Sequence, residues 1–335
     1  MSLDLALVGN GTIGALVSPE GDIVWMCAPR FDGDPVFTSL LRGSAQPEHD
    51  GAFAIEMMDG VRVEQQYIAD TPILVSTFFD ARGGCARVTD FAPRFEQDGE
   101  VVCPMMLVRK VEPVSGRPTI RVRLRPMEQY GAGLLTPQQP AESSRAHKPD
   151  HILYAGNDLV FRLATDAPVE AIVSETPFAL DRAITLILGP DAEVKRGTAK
   201  AGSDFAERTA AWWRDWAGSL TVPSEWRDDV IRAAITLKLN ACEDTGAIIA
   251  ALTTSIPEAP NSGRNWDYRY CWLRDAYFVS DALRQLGDTA TNERYVDFVM
   301  RVAAESHGGM LKPLYAIGGE AIPDEHEAGH LAGYR

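Results

Sequence analysis

Apolar positions along this chain follow two different periods. Up to about residue 202 they come as short runs, at 3–8, 15–18, 23–26, 53–57, 73–79, 106–111, 119–124, 159–163 and 183–188. Val, Ile, Thr and Phe are frequent within the runs, while Gly, Pro, Asp and Asn cluster between them, as in Pro19-Glu20-Gly21-Asp22. Short β-rich runs with turn residues between them, and no helical pattern intervening, predict an antiparallel β-sandwich. The stretch 131–150, with Gln138-Gln139-Pro140 and Ser143-Ser144, reads as a long exposed loop.

The period changes at Ser203. Ser203-Asp204 reads as the cap of a helix through Phe205, Thr209, Trp212, Trp213 and Trp216. Ser224 reads as the cap of a second, with a stripe of Trp226, Val230, Ala233, Ala234, Leu237 and Ala241. Residues 276–286 and 292–304 repeat the helical spacing, the first stopping at Gly287. Six of the seven tryptophans lie between 212 and 272, so the start of the helical half is rich in aromatics. The last stretch is Gly-rich, and the ending Ala332-Gly333-Tyr334-Arg335 reads as an interruption rather than a closing helix.

At 335 residues the chain is long enough for two domains. It carries 47 acidic against 32 basic residues, a net charge of −15. A surface of that sign repels phosphate backbones and anionic lipid, so neither nucleic acid nor a membrane is an expected partner. The five cysteines, at 27, 85, 103, 242 and 271, form no CxxC pair, which argues against a disulfide framework or structural zinc and fits a reducing compartment. The opening MSLDLALVGN has neither a basic leader nor a cleavage site, and no apolar run is long enough to span a bilayer. A cytoplasmic location is the expectation. The sequence sets no oligomeric state.

Three motifs bear on chemistry. Gly9-Asn10-Gly11-Thr12-Ile13-Gly14 fits the dinucleotide-binding fingerprint, but that fingerprint must open a helix, and here a turn and another strand follow. The glycines read as a strand connection. His326-Glu327-Ala328-Gly329-His330 fits the zinc-protease pattern, which needs both imidazoles on one helical face and a third ligand. No spacing marks that ligand, so a zinc metalloprotease stands as a minor alternative to a solvated loop. The third, Arg264-Asn265-Trp266-Asp267-Tyr268-Arg269-Tyr270-Cys271-Trp272-Leu273-Arg274-Asp275, sets four aromatics among three arginines and two aspartates before a helix. Sugar rings offer apolar faces to aromatic planes and hydroxyl rims to charged donors and acceptors, so this composition suits a carbohydrate. A buried Arg–Asp pair among core aromatics is an equal reading on chemistry alone.

The block 265–275 resembles the W-D-Y-R-Y-x-W-x-R-D segment of glycoside hydrolase family 15, which includes glucoamylases, glucodextranases and trehalases. Gly9-Asn10-Gly11, the run from Ala15 through Trp25, and Pro29-Arg30-Phe31-Asp32 resemble the trehalase-like N-terminal domain of its prokaryotic members. Residues 309–320 and 330–335 are similar to later family blocks.

The resemblance implies a multidomain chain, β then all-α. The N-terminal antiparallel β-sandwich would occupy 1–202, a helical linker 203–222, and the first part of an (α/α)6 barrel 223–335. It implies hydrolysis of α-glucosidic bonds with inversion, releasing β-glucose from trehalose or α-linked glucans, with no cofactor and no metal. Arg274 and Asp275 would bind hydroxyls of the non-reducing glucose, with Trp272 in the same pocket and Tyr268 against the ring. Tyr270 and Trp266 would be sugar contacts or wall packing, and Asp267 would not be the acid. Both family glutamates are expected beyond Arg335, since none of Glu305, Glu320, Glu325 or Glu327 sits in a matching block. The 335-residue chain is thus expected to be inactive alone. The alternative from a different class is a non-catalytic carbohydrate-binding or interaction protein built on the sandwich.

Overall fold

The computed structural model describes residues 3–42, 49–138, 150–157, 159–259, 262–306 and 310–334. Two antiparallel sheets dominate the first half. One runs in the order Ala6–Gly9, Gly14–Val17, Ile23–Ala28, Ala52–Met57, Thr119–Arg125 and Phe178–Ala179, with Asp34–Phe37 paired onto Ile23–Ala28. The other runs Thr136–Gln138, His151–Ala155, Val160–Thr165, Ile184–Pro190, Leu107–Ser115, Cys85–Phe91, Leu74–Asp80 and Gly60–Tyr67. They share one core: Ile23, Phe53, Ile55, Val122 and Leu124 from the first meet Leu74, Val88, Val111, Leu163 and Leu186 from the second.

Strand Thr119–Arg125 shows why the sequence folds this way. Ile120, Val122 and Leu124 point into the core, while Arg121, Arg123 and Arg125 alternate onto the opposite face. There Arg123 pairs with Glu56 at 2.9 Å and Arg125 with Glu175 at 2.7 Å. Strand Ile23–Ala28 is buried along its whole length instead. Its outer residues Val24, Trp25 and Cys27 are covered by Leu40, Leu41, Ile256, Leu331 and Tyr334.

Helix α1 (Val169–Val173) is a short cap on the sandwich. Helix α2 (Thr198–Ser219) lies on the outer face of the second sheet, where Ala201, Phe205, Ala206 and Ala210 meet Phe91, Val108 and Ile187. It begins at Thr198, not at the expected Ser203-Asp204 cap. Gly197 turns the chain at φ 78°, and Gly202 packs so closely on Thr185 that a Cβ there would lie 2.5 Å from its Cγ2. Burial against the sheet outweighs the capping signal.

A 3₁₀ turn at Ser224–Trp226 precedes α3 (Arg227–Leu239). The buried face of α3 is Ile231, Ala234, Ile235, Lys238 and Leu239, so the expected stripe is rotated: Ala233 is exposed, as is Trp226 at 60%. The bulkier Ile231-Ile235-Leu239 row, spaced i, i+4, i+8, takes the core with Trp213 and Leu283. Helices α4 (Leu273–Gln285) and α5 (Thr289–Glu305) form a hairpin through Gly287, at φ 101°, and Asp288 caps α5 by accepting from the Thr291 N–H.

The halves interlock. Trp25 Nε1 donates to the Leu252 carbonyl at 2.6 Å, and Arg227 forks onto Asp70 at 2.8 and 2.9 Å. Arg94 donates to the Asn10 carbonyl, pairs with Glu243 and lies 3.9 Å over the Trp212 ring.

Strands Gly60–Tyr67, Cys85–Phe91 and His151–Ala155 lie outside the apolar runs expected from the sequence, although Ile152-Leu153-Tyr154-Ala155 is such a run. The first is an edge strand with an exposed, polar pattern. The expected loop at 131–150 contains strand Thr136–Gln138, paired to His151–Ala155; residues 139–149 lie outside the described residues. The glycine motif is a hairpin connection, with Asn10 Oδ1 accepting from the N–H groups of Thr12 and Ile13. The stretch 326–330 is not helical: His330 Nε2 meets the Tyr130 carbonyl at 2.9 Å, and the His326 ring packs edgewise on Tyr130.

Candidate functional site

The segment before α4 is held from two sides. Ala251 N–H donates to the Tyr268 carbonyl and Tyr268 N–H to the Thr253 carbonyl, so 250–253 supports the aromatic run. The short pairing of Cys271–Trp272 with Leu314–Tyr315, and Leu273 N–H on the Pro313 carbonyl, bring the 310–315 loop alongside. Trp272 stands at the N-cap of α4, Arg274 and Asp275 in its first turn, where a carboxylate suits the positive end of the helix dipole.

Two adjoining concavities result. One, of about 480 Å³, is lined by Trp272, Leu273, Arg274, Asp275, Leu311, Lys312 and Pro313. The other, of about 380 Å³, is lined by Ala250, Glu258, Arg264, Trp266, Tyr268, Trp272, Arg274 and Asp275. Trp272, Arg274 and Asp275 are common to both. Arg274 Nη2 meets Asp275 Oδ2 at 3.3 Å, with the arginine side chain 80% exposed and the aspartate 40%. Donors and acceptors are therefore side by side and open to a ligand.

The indoles of Trp266 and Trp272 meet edge to face at 5.8 Å. Each N–H is committed, Trp272 Nε1 to the Asp267 carbonyl at 2.9 Å and Trp266 Nε1 to Glu258 Oε1 at 2.6 Å. The Arg264 guanidinium lies 5.4 Å from the Trp266 ring and 3.4 Å from Glu258. Such rings present apolar faces beside a charged rim, the combination a pyranose requires.

Asp267 stands in a fork from Arg269, Nη2 to Oδ2 at 2.6 Å and Nε to Oδ1 at 2.9 Å. Burial works against the charge of Arg269, but the Asp267 carboxylate outweighs it and raises the guanidinium pKa. Beside it, burial pushes the Cys27 thiol up to about 11, so that sulfur stays protonated at neutral pH.

Of the residues expected from the sequence, Arg274, Asp275, Trp272, Tyr268 and Trp266 come together. Tyr270 is 9% exposed and lines neither concavity. Glu258 was not anticipated: it is brought in by the Pro257–Asn265 bridge and the bond from Glu258 N–H to the Arg264 carbonyl, which no local pattern announces. Glu305, Glu320, Glu325 and Glu327 line neither concavity. Among the described residues no group of three or more His, Cys, Asp or Glu is placed to hold a metal ion, and no helix is long and apolar enough to cross a membrane.

Comparison with known proteins places these blocks. The chain is 30% identical over 335 residues to trehalase 1 of Sulfolobus acidocaldarius, covering 98% of this chain and 54% of that protein. It is 30% identical over 296 residues to a trehalase of Thermoplasma volcanium, covering 84% and 44%. With a trehalase of Mycobacterium tuberculosis it shares 27% over 356 residues, covering 99% and 51%. The chain thus spans about half the length of the curated relatives it matches. Residues 3–157 match the model of the trehalase-like N-terminal family, and residues 226–335 match the model of glycosyl hydrolases family 15.

Proposed function

We propose that this chain supplies the non-reducing-end sugar pocket of an inverting α-glucoside hydrolase, with trehalose as the favoured substrate. The observation that carries the reading is the pair of adjoining concavities sharing Trp272, Arg274 and Asp275, each roomy enough for one hexose. The trehalase names of the relatives favour a glucosyl-glucose disaccharide over a longer glucan.

In this reading Arg274 donates to, and Asp275 accepts from, neighbouring hydroxyls of the terminal glucose. Tyr268 lies against the ring where positive charge develops, and Trp272 supplies the apolar wall. Inversion needs an acid on the leaving oxygen and a base on a water, with carboxyl groups about 6.5–9.5 Å apart. Of the carboxylates lining the concavities, Asp275 is given to the sugar hydroxyls in this reading, and Glu258 is bonded to Trp266 and paired with Arg264. Asp267 is held in the Arg269 fork. We assign acid and base to glutamates beyond Arg335, and read 1–202 as the sandwich, 203–222 as a linker and α3–α5 as the first part of an (α/α)6 barrel. Support for the barrel comes from the α4–α5 hairpin, which exposes Tyr277, Phe278, Val296 and Met300 as a barrel helix would toward its next neighbour.

The test is glucose release, with the anomer read by NMR, from trehalose and from maltooligosaccharides. The 335-residue chain is expected to release none, and a polypeptide extended past Arg335 to release β-glucose from trehalose. Release by the short chain overturns the assignment of acid and base, α-glucose overturns inversion, and silence from both overturns the hydrolase reading.

A further inference from the structure

The segment carrying the sugar-facing side chains is tied to the sandwich through a buried arginine. Arg269 is 5% exposed. Besides its fork onto Asp267, its Nη1 donates to the Gly33 carbonyl at 2.8 Å, and its guanidinium lies 5.5 Å from the centre of the Tyr130 ring. Gly33 and Tyr130 both belong to the sandwich half. Tyr130 is itself held in place: its N–H donates to Asp34 Oδ1 at 2.7 Å. Gln129 and Tyr130 both take left-handed backbone angles, φ 52° and 57°, a conformation that non-glycine residues keep only where their surroundings enforce it.

On the other side of the fork, Asp267 does two things. Its Oδ1 accepts the Arg269 N–H at 3.0 Å, closing a tight local ring, and its carbonyl accepts Trp272 Nε1 at 2.9 Å. The orientation of the Trp272 indole therefore depends on where the Asp267 peptide sits, and the fork fixes that peptide. A lysine could carry the charge of Arg269, but not two parallel bonds to one carboxylate together with a third to a carbonyl.

We infer that Arg269 is a positioning residue: through Asp267 it carries the placement of the sandwich to Trp272, and so sets the wall shared by the two concavities. This rests on the sugar-pocket reading only for its consequence, not for its geometry. It also gives the sandwich a role in the site that needs no sugar contact of its own.

The test uses the chain labelled with ¹⁵N-tryptophan, the Trp272 indole resonance being assigned by its loss in Trp272→Phe. In Arg269→Lys the Trp272 indole N–H is expected to shift and to exchange with solvent at least about tenfold faster. The resonances of Trp212, Trp213, Trp216 and Trp226, remote in the helices, are expected to stay in place. An unchanged Trp272 resonance in a folded Arg269→Lys chain overturns the inference. Asp267→Asn, which keeps the backbone carbonyl, gives the same reading if the lysine variant does not fold. Loss of all dispersed indole signals in both variants also overturns it, because the pair would then hold the fold rather than the wall. A trehalose titration separates the two readings: no response of Trp272 in the unaltered chain counts against the sugar pocket and leaves the positioning result standing. Where the unaltered chain responds, Arg269→Lys is expected to weaken the trehalose Kd at least about tenfold, and an unchanged Kd overturns the role in the site.

Discussion

Arg109 and Asp90 are both 0% exposed and lie between the two sheets. Arg109 Nε and Nη2 donate to the two Asp90 oxygens at 2.8 and 3.1 Å, while Nη1 and Nη2 reach the carbonyls of Phe53 and Gly21 in the facing layer, each at 2.6 Å. Arg109→Met keeps much of the volume and removes all four bonds, leaving the Asp90 carboxyl alone. Burial already raises the pKa of that carboxyl, and without Arg109 nothing beside it offsets the desolvation. Breaking a buried pair from one side costs about 3–5 kcal/mol.

The assay is native-state hydrogen exchange of the amides in Leu107–Ser115 and Cys85–Phe91. At about 1.4 kcal/mol per decade, that cost appears as exchange faster by roughly two to nearly four powers of ten. The decisive comparison is Arg109→Met with Asp90→Leu. Removing both charges is expected to recover at least half of the protection lost in the single variant, since apolar replacement of a whole buried pair is often neutral. A single variant that exchanges less than about fivefold faster, or a double variant no better protected than the single, would refute the reasoning.

Three further outcomes are expected. Arg274→Ala should leave the melting temperature nearly unchanged, because the side chain is 80% exposed, while weakening trehalose binding at least about tenfold by titration; full affinity would remove Arg274 from the pocket. Asp288 caps α5 and faces Lys238 at 3.4 Å; burial opposes its charge, but Lys238 and Thr291 more than offset that and lower its pKa. Its stabilisation is therefore present above the ordinary carboxylate range and lost as pH falls through the depressed value, an acid-range loss that Asp288→Asn should flatten in pH-dependent unfolding. Burial, first, and Arg94 push Lys238 down to about 8 even though Asp288 holds it up, so without Asp288 the lysine sheds its proton at lower pH; the cost of Asp288→Asn should shrink as pH rises toward 8, and a cost independent of pH would contradict this. Gly246→Ala should destabilise the chain by more than about 2 kcal/mol in chemical denaturation: φ is 77°, and the added Cβ would lie 2.2 Å from the backbone oxygen of Arg294.

Much of this molecule was legible from side-chain order alone. The alternation in Thr119–Arg125 and the turn at Pro19-Glu20-Gly21-Asp22 are local consequences of a period of two and of turn chemistry, and they appear where expected. The aromatic and charged run from Arg264 to Asp275 announced a candidate site because its chemistry is contiguous in sequence, and half of it, Arg264, Trp266, Tyr268, Trp272, Arg274 and Asp275, does line one concavity. What stayed hidden is whatever depends on contacts between distant segments. The edge strand Gly60–Tyr67 is polar because one side of it faces solvent, so no apolar run marks it. The start of α2 and the rotation of α3 were decided by which face met a sheet or another helix, a choice that propensity and capping do not make. Glu258 and Lys312 enter the concavities through backbone pairings of their own loops. Arg269 reads as one more arginine in a charged run until the fold brings Gly33 and Tyr130 to it from far along the chain. Sequence determines which groups are available and their local period; long-range packing, through the desolvation and pairing it imposes, decides which of them become hubs and which remain surface.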